Sequence, residues 1–574
     1  MRFGRGRNRD LRLPNHRHAA LCPHGVPLCT GGIVRITRIA AAAGGIALAS
    51  ALVLTGCASD NGGTGGGGSS TGVVSVAWGE PENPLIPANT NEVNGGLVLN
   101  NMFAGLVYYK ADGSWDLDAA ESIESDDYKT WTIKLKEGQT FTDGTPVTSS
   151  SFVDAWQWAA SDPALLNQWW FIDAIAFEGG TYDGGEDTLA LDVVDDLTFT
   201  VELAQPRADF PVALGYTVFF PLPESFYDDP EAFGDAPVGN GPYKLSEEGW
   251  QHGESLNLVP NDDYSGPRKA ENGGLNFKVY GTLDAAYADL VSDNVDVIES
   301  VPTNSLSNFK SDLGDRAVEQ GSAVFQSFTI NYNLEHFADD EEGKLRRAAL
   351  SHAINREEIT SVIFQGTRTP AEEFTSPVIA GFDPGAIEGS DVLTYDPELA
   401  KELWAQADAI SPWEGTFQLA YNADGDHQSW VDATVNSIKN SLGIDAVGLP
   451  YPDFAGLRTE VNDRTIKAAF RTGWQFDFPS QANILGALYV TGSGSNDADY
   501  SNENFDTLFR EGLAAPTLDE QNEFFNQAQG QLFEDLPAIP LWYGSVTAGY
   551  STLVEDVEYG WDSWPILYQV TKAE

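Results

Sequence analysis

Strand patterns and helix patterns alternate along the sequence from Val73 to the C-terminus, and this alternation is the strongest constraint on the fold. Trp131, Ile133 and Leu135 alternate with polar residues, which predicts a half-buried strand. Helical patterns cover residues 152–160, 345–364 and 518–536, and Asp396-Pro397 is typical of a helix start. Since no repeat period is visible, the sequence predicts a mixed α/β fold.

Length and charge limit the possible functions. The 574 residues suggest two or three domains. With 85 acidic against 32 basic residues, the formal net charge is −53, which argues against a nucleic-acid partner because phosphate binding needs a basic surface. The three cysteines, Cys22, Cys29 and Cys57, do not form a disulfide framework. Histidines are also few, so we expect no metal site and no cofactor.

The N-terminal segment has the pattern of an export signal. Two arginines precede the apolar run 39–54, which is typical of a secretory signal and short for a membrane span. The run ends in Leu54-Thr55-Gly56-Cys57, which resembles the lipobox of bacterial lipoproteins. The resemblance implies that residues 1–56 are a signal peptide and that an acylated Cys57 anchors the mature chain. An uncleaved anchor helix with an incidental cysteine is the alternative. Residues 57–72, rich in Gly and Ser, predict a flexible tether.

Five blocks stand in order along the rest of the chain. They are residues 131–138 with 141–148, 239–245 (Gly-Asn-Gly-Pro-Tyr-Lys-Leu), 345–350 with 353–356, 395–400 (Tyr-Asp-Pro-Glu-Leu-Ala) and 537–541 (Pro-Ala-Ile-Pro-Leu). Together they resemble the large oligopeptide/dipeptide-binding family, family 5, of the solute-binding proteins of ABC importers. No single block is decisive, but their number and order make the resemblance strong.

The resemblance implies a two-lobed periplasmic-binding-protein fold with an additional domain inserted in the first lobe. Its two α/β lobes would be joined by a two-strand hinge and close over a ligand. On this chain the first lobe would take residues 73–105, 235–322 and 546–574, the inserted domain 106–234, and the second lobe 323–545. A strand that crosses between the lobes would lie near residues 324–333.

The resemblance also implies a ligand-binding strand at residues 471–477. In the oligopeptide-binding subfamily, the aspartate at the position of Asp477 pairs with the ligand's α-ammonium. The positions of Gly473 and Gln475 supply backbone hydrogen bonds, which suits recognition of peptides of varied sequence.

Further residues are implied to complete the site. Arg471 and His427 occupy positions that can meet the ligand's carboxylate, for which arginine offers a bidentate fork. Trp474 is a candidate for stacking on a ligand side chain. Across the cleft, Asn91 and Val93 belong to a segment whose main chain pairs with the peptide's other edge.

Each of these side chains also has a structural interpretation. Asp477 could form an internal salt bridge, Arg471 could tie two strands together, His427 could be a loop contact, and Trp474 could belong to the core. Residues 478–481 (Phe-Pro-Ser-Gln) depart from the polar run usual in the subfamily, which puts the shape of the first side-chain pocket in question.

The resulting hypothesis is an extracytoplasmic, lipid-anchored solute-binding protein that captures oligopeptides and delivers them to an ABC transporter permease. It would act as a monomer and catalyse no reaction. The first alternative keeps the fold but binds oligosaccharides, nickel or a haem-type compound. The second is an extracellular glycoside hydrolase that uses a pair of carboxylates. The third is a surface receptor or adhesin with the same fold.

The segment before residue 34 is long for a signal peptide, so we expect translation to start at Val34. N-terminal sequencing of the unprocessed precursor should then begin at this residue. A precursor that starts upstream of it would contradict the hypothesis.

Overall fold

The computed structural model describes residues 72–573, except for Glu82, Asn91, Pro163, residues 179–187 and Ala386. The predictions made for residues 1–56, for Cys57, for nearly all of the tether and for Asn91 therefore lie outside the described residues. Within the described part, the mixed α/β fold predicted from the sequence is confirmed. None of its helices combines the length and apolar character that a membrane span requires.

The strands are β1 (Val74–Trp78), β2 (Val107–Tyr109), β3 (Trp115–Leu117), β4 (Ala120–Glu124), β5 (Thr130–Leu135), β6 (Leu191–Asp195), β7 (Thr198–Glu202), β8 (Tyr243–Gln251), β9 (Ser255–Pro260), β10 (Leu275–Val279), β11 (Val297–Ile298), β12 (Ala317–Thr329), β13 (Thr369–Pro370), β14 (Thr416–Asn422), β15 (Asp445–Tyr451), β16 (Ala469–Gln475), β17 (Ala538–Tyr550), β18 (Val554–Glu555) and β19 (Thr571–Lys572). One large mixed sheet has the order β15-β14-β16-β12-β17-β11-β1-β10-β9-β8, with β13 also paired to β17. A four-stranded sheet has the order β4-β5-β7-β6.

The helices are α1 (Val93–Met102), α2 (Ser149–Ser161), α3 (Gln168–Ala174), α4 (Phe210–Ala213), α5 (Pro230–Asp235), α6 (Leu283–Val291), α7 (Phe309–Leu313), α8 (Glu341–His352), α9 (Arg356–Val362), α10 (Pro397–Ile410), α11 (Gln428–Leu442), α12 (Phe454–Asn462), α13 (Gln481–Tyr489), α14 (Glu503–Leu513) and α15 (Leu518–Asp535). Asp396 caps α10 as predicted, accepting hydrogen bonds from the amides of Glu398 and Leu399. The single helix predicted over residues 345–364 is wrong. The chain breaks into α8 and α9 because Asn355 caps a new helix by accepting from the Glu358 amide.

Two long strands, β12 and β17, form the centre of the large sheet. They pair antiparallel from Ala317 opposite Gly549 to Thr329 opposite Ala538, with an irregular register between Gly321 and Phe325. At one end β17 pairs with β11, and at the other end β12 pairs with β16. The two strands therefore link the part of the sheet that contains β11 to the part that contains β16.

The four-stranded sheet and its helices pack on the part of the large sheet that contains β1 and β8–β10. A buried ion pair helps to join them: the Nε of Arg268 lies 2.9 Å from an Asp118 carboxylate oxygen. Arg268 also donates to the carbonyls of Asn100 and Phe103, at 2.6 and 2.7 Å. Removing one member of such a pair costs about 3–5 kcal/mol, because the other charge is left buried and unpaired.

The apolar core is divided into clusters that follow this arrangement. The largest cluster draws mainly on residues 74–297 with a contribution from 546–570, and it includes Trp156 and Phe199 of the four-stranded sheet region. Two others draw almost entirely on residues 323–543. The exact boundaries proposed for the lobes and for the inserted domain stay a prediction.

Candidate functional site

A cavity of about 420 Å³ lies along β16, within the usual size range of small-ligand pockets. Its walls are drawn from residues 90–100, Tyr109, residues 215–217, Thr329, residues 454–461, 470–477, 488–498 and 562–564. These stretches are far apart in the sequence, so only the tertiary fold brings them together.

One backbone edge of β16 faces away from its partner strand. The amide of Phe476 donates to the carbonyl of Ala323, 3.0 Å away, just beyond the β12–β16 ladder. Because backbone groups of an antiparallel strand alternate between its two edges, those of Gly473 and Gln475 point away from β12. On that side, the ladder with β14 reaches only Ala469 and Phe470 of β16. The edge at Gly473 and Gln475 is therefore placed to accept a further strand.

Asp477 lies immediately beyond this edge and lines the cavity. Burial raises the pKa of its carboxyl to about 6, although hydrogen bonding to Asn483 and interaction with the Tyr216 hydroxyl partly oppose the rise. Among the described residues, no Lys, Arg or His forms an ion pair with Asp477, so its predicted alternative role in an internal salt bridge finds no support there.

Asn483 orients two of the predicted site residues and was missed by the sequence reasoning. Its Nδ2 donates to the Asp477 carboxylate at 3.0 Å, while its Oδ1 accepts from the indole of Trp474 at 2.6 Å and from the Asp477 amide at 3.2 Å. Ser480 caps α13 and so places Asn483 in its first turn, fully buried beneath the strand end. An asparagine three residues after a helix cap is a weak signal in a sequence without the fold.

Arg471 and Val93 also line the cavity. The Nε of Arg471 donates to Asn422 at 2.8 Å, and its guanidinium lies 4.8 Å from the ring centre of Phe454. Val93 is the first residue of α1, whose cap is Glu92. Because Val93 begins a helix, its amide is one of the helix-terminal donors without an intrahelical acceptor. The pairing of its main chain with a ligand stays a prediction.

His427 is not part of the cavity wall. It precedes α11, and its Nδ1 accepts a hydrogen bond from the Trp430 indole at 3.1 Å. This contact matches the structural alternative given for the residue, and its ligand-binding role stays a prediction. In the described part of the chain, no group of three or more His, Cys, Asp or Glu side chains is placed to hold a metal ion.

A second carboxylate, that of Asp562, lines the cavity and was also missed. Its Oδ1 accepts from the Trp564 amide at 3.0 Å, and its backbone carbonyl accepts from the Gln475 side chain at 2.8 Å. Burial raises the pKa of Asp562 to about 6. This residue lies 85 positions beyond Asp477, and no motif marks it.

A third aspartate in the wall, Asp497, is electrostatically different. Its carboxylate is 2.6 Å from Arg458 and 3.3 Å from Arg464, so its charge is already compensated within the protein. The cavity therefore contains two aspartates without a cationic partner among the described residues, and one that has two.

The sequence departure at residues 478–481 lies behind the cavity wall. Phe478 is buried, with its ring 5.5 Å from that of Trp170, and Ser480 caps α13. None of these four residues lines the cavity. These residues therefore lie behind the wall that contains Asp477, and their effect on the first side-chain pocket stays a prediction.

Comparison with known proteins identifies relatives of this chain. The sequence model described as bacterial extracellular solute-binding proteins, family 5 Middle, matches residues 116–496, more than half of the chain. The oligopeptide-binding protein OppA of Bacillus subtilis (strain 168) is 26% identical over 475 residues, covering 80% of this chain and 85% of the relative. The periplasmic murein peptide-binding protein MppA of Escherichia coli (strain K12) is 26% identical over 462 residues, covering 78% and 82%.

Solved structures show the same fold. The Escherichia coli murein tripeptide binding protein MppA superposes with a TM-score of 0.75 at 23% identity, covering 88% of this chain and 99% of that one. Haemophilus influenzae OppA in complex with the peptide RPPGFSPFR gives a TM-score of 0.73 at 21% identity, with the same coverage. The two-lobed solute-binding-protein fold expected from the sequence is thereby confirmed.

The raised pKa of Asp477 predicts a pH-dependent stability. Its folded pKa of about 6 exceeds the ordinary value of 3.8, so the ionised carboxylate destabilises the fold fully above pH 6 and not at all below pH 4. We expect Asp477→Asn to raise the free energy of unfolding by about 2 kcal/mol at pH 8, with the gain vanishing towards pH 4. Denaturant unfolding across this pH range measures the difference. An equal change for the exposed control Asp463→Asn, or a gain that does not depend on pH, would contradict the assignment.

Proposed function

Because the chain belongs to the bacterial extracellular solute-binding proteins of family 5, we propose that it captures short peptides in the cavity along β16. The observation that carries this proposal is the outward backbone edge of Gly473 and Gln475, which ends at the carboxylate of Asp477. An extended peptide can add to such an edge as a further strand. Its N-terminal ammonium then meets the carboxylate.

Electrostatics favours this occupant. Asp477 is half-buried, and its carboxylate has no cationic partner among the described residues, although acidic groups shielded from solvent are rarely left unpaired. A ligand ammonium supplies the missing charge and forms a charge-assisted hydrogen bond. Backbone pairing at Gly473 and Gln475 adds affinity without reading side chains, so peptides of different sequence are accepted.

The names of the relatives support the same ligand class, since the matched proteins are described as oligopeptide- or murein peptide-binding. We propose that this chain hands its peptide to the membrane permease of an ABC importer. It acts as a monomeric binding protein and catalyses no reaction.

Closure of the two lobes is part of the proposal. The predicted boundaries at residues 322/323 and 545/546 fall within β12 and β17. The first boundary coincides with the irregular register between Gly321 and Phe325, where the ladder with β17 is interrupted. These two strands serve as the hinge, and bending there opens or closes the cavity.

Comparing peptides with a free and with an acetylated N-terminus tests this function. We expect short peptides to bind with measurable affinity in isothermal titration calorimetry and their N-acetylated forms to bind about 100-fold more weakly, since the buried ion pair is lost. Affinity for the free peptides falls as the pH drops below about 6, because protonation removes the charge of Asp477.

The matched variants are Asp477→Asn, which should abolish the discrimination against acetylated peptides, and the exposed Asp463→Asn, which should preserve it. Equal affinity for free and acetylated peptides in the wild-type protein would overturn ammonium capture. Binding of oligosaccharides with no binding of any peptide would move the assignment to the sugar-binding alternative.

We also propose that the mature chain is held at the membrane by lipid on Cys57. Mass spectrometry of the mature N-terminus should find an acylated cysteine at this position, and Cys57→Ser should release the protein from the membrane fraction. The control Ser69→Ala lies in the tether downstream of Cys57 and should leave the protein bound. Release of the control, or a mature chain that retains residues before Cys57, would contradict the anchor.

A further inference from the structure

We propose that Asp562 is a second cation-binding group of the cavity, so that the protein prefers peptides with a basic side chain at the first or second residue. This inference rests on the proposed function and adds a specificity that the backbone edge alone cannot provide. Its basis is the position of Asp562 beside the strand edge, together with the absence of a cationic partner for it among the described residues.

Comparison with the buried aspartates makes the half-buried Asp562 unusual. Asp118 has Arg268 at 2.9 Å, Asp296 has Lys572 at 2.6 Å, and Asp497, in the same cavity wall, has Arg458 at 2.6 Å. Asp562 forms no ion pair with any of the described residues, and its carboxylate accepts a hydrogen bond from the Trp564 amide. Buried acidic side chains are almost always paired, so a cation from the ligand is the natural partner.

Asp562 lies beside the place where a peptide would begin. The Gln475 side chain donates to the Asp562 backbone carbonyl at 2.8 Å, which holds this residue against the end of β16. Asp477 stands two positions beyond Gln475 in the same wall. A peptide whose ammonium meets Asp477 and whose backbone follows Gly473 and Gln475 therefore brings its first residues next to Asp562. Because successive side chains of a strand point to opposite faces, one of the first two faces this wall.

The effect of Asp477 and Asp562 on Tyr109 indicates that the two aspartates lie near each other. Burial raises the pKa of the Tyr109 hydroxyl, and the carboxylates of Asp477 and Asp562 raise it further, so both carboxylates act on one region of the cavity. Glu299 is also near Asp562, but burial raises the pKa of Glu299 to about 8, and its carboxyl stays protonated at neutral pH. Asp562 therefore offers a negative charge to a ligand on this wall, whereas Glu299 does not.

The adjoining aromatic surface suits the stem of a basic side chain. Trp564 lines the cavity beside Asp562 and packs so closely on α1 that a Cβ on Gly96 would lie 2.9 Å from its ring. A lysine or arginine can lay its methylene groups on such a ring while its charged end reaches the carboxylate.

The test compares Lys-Ala-Ala and Ala-Lys-Ala with analogues in which uncharged norleucine replaces lysine. Isothermal titration calorimetry on the wild-type protein should give, for one of the two positions, about tenfold tighter binding of the lysine peptide. In Asp562→Asn, which keeps an oxygen for the Trp564 amide, this ratio should fall to about one. The control Glu555→Gln removes an exposed carboxylate from the same C-terminal segment and should keep the ratio.

The possible results separate this inference from the proposed function. Equal affinities of lysine and norleucine peptides for the wild-type protein, which do not depend on how a variant folds, would overturn the specificity and leave peptide capture standing. A lysine preference that survives in a folded Asp562→Asn would do the same. If none of the four peptides binds, the proposed function itself fails.

Discussion

The pairing of β12 with β17 is the interaction on which the position of the candidate site depends. Each strand has 13 residues, and together they connect β11 and β1 at one end of the large sheet with β16 and β14 at the other. β16 pairs with β12 only from Val324 to Thr329, while the ladder of β12 with β17 is irregular between Gly321 and Phe325 and again between Gln326 and Ser327. The strand that forms one wall of the cavity is thus fixed to the pair that connects both halves of the sheet.

The site itself is electrostatically unfavourable in the absence of a ligand. Asp477 and Asp562 carry raised pKa values because burial disfavours their charged forms and no cation among the described residues compensates them. Asp497, in the same wall, shows that the fold can supply arginines where a carboxylate is only structural. A protein that leaves two carboxylates uncompensated gives up stability that a cationic ligand restores on binding, and perturbed carboxylates of this kind are typical of functional sites.

Several parts of the site could be predicted from the sequence, and the reasons for success and failure are physical. Arg471, Gly473 and Trp474 lie together in the cavity wall because they belong to one strand, and Asp477 joins them because it follows two residues after the end of that strand. His427 lies outside the cavity wall and accepts a hydrogen bond from the Trp430 indole, and its ligand-binding role stays a prediction. Asn483 and Asp562 were missed because their importance comes from contacts with residues that are distant in the sequence or in another element.

The sequence alone determined the alternation of strands and helices, the cap of α10 at Asp396, the strand β16 and the family, because these depend on local periodicity and on contiguous motifs. It did not determine the break between α8 and α9, since the hydrogen bond of Asn355 to the next helix competes with a continuous helical pattern. The tertiary structure alone decided that the outward edge of β16 ends at an uncompensated Asp477, with Asp562 beside it and Asn483 beneath it. The solvation and pairing of a charge depend on every segment folded around it, and no local stretch of sequence contains that information.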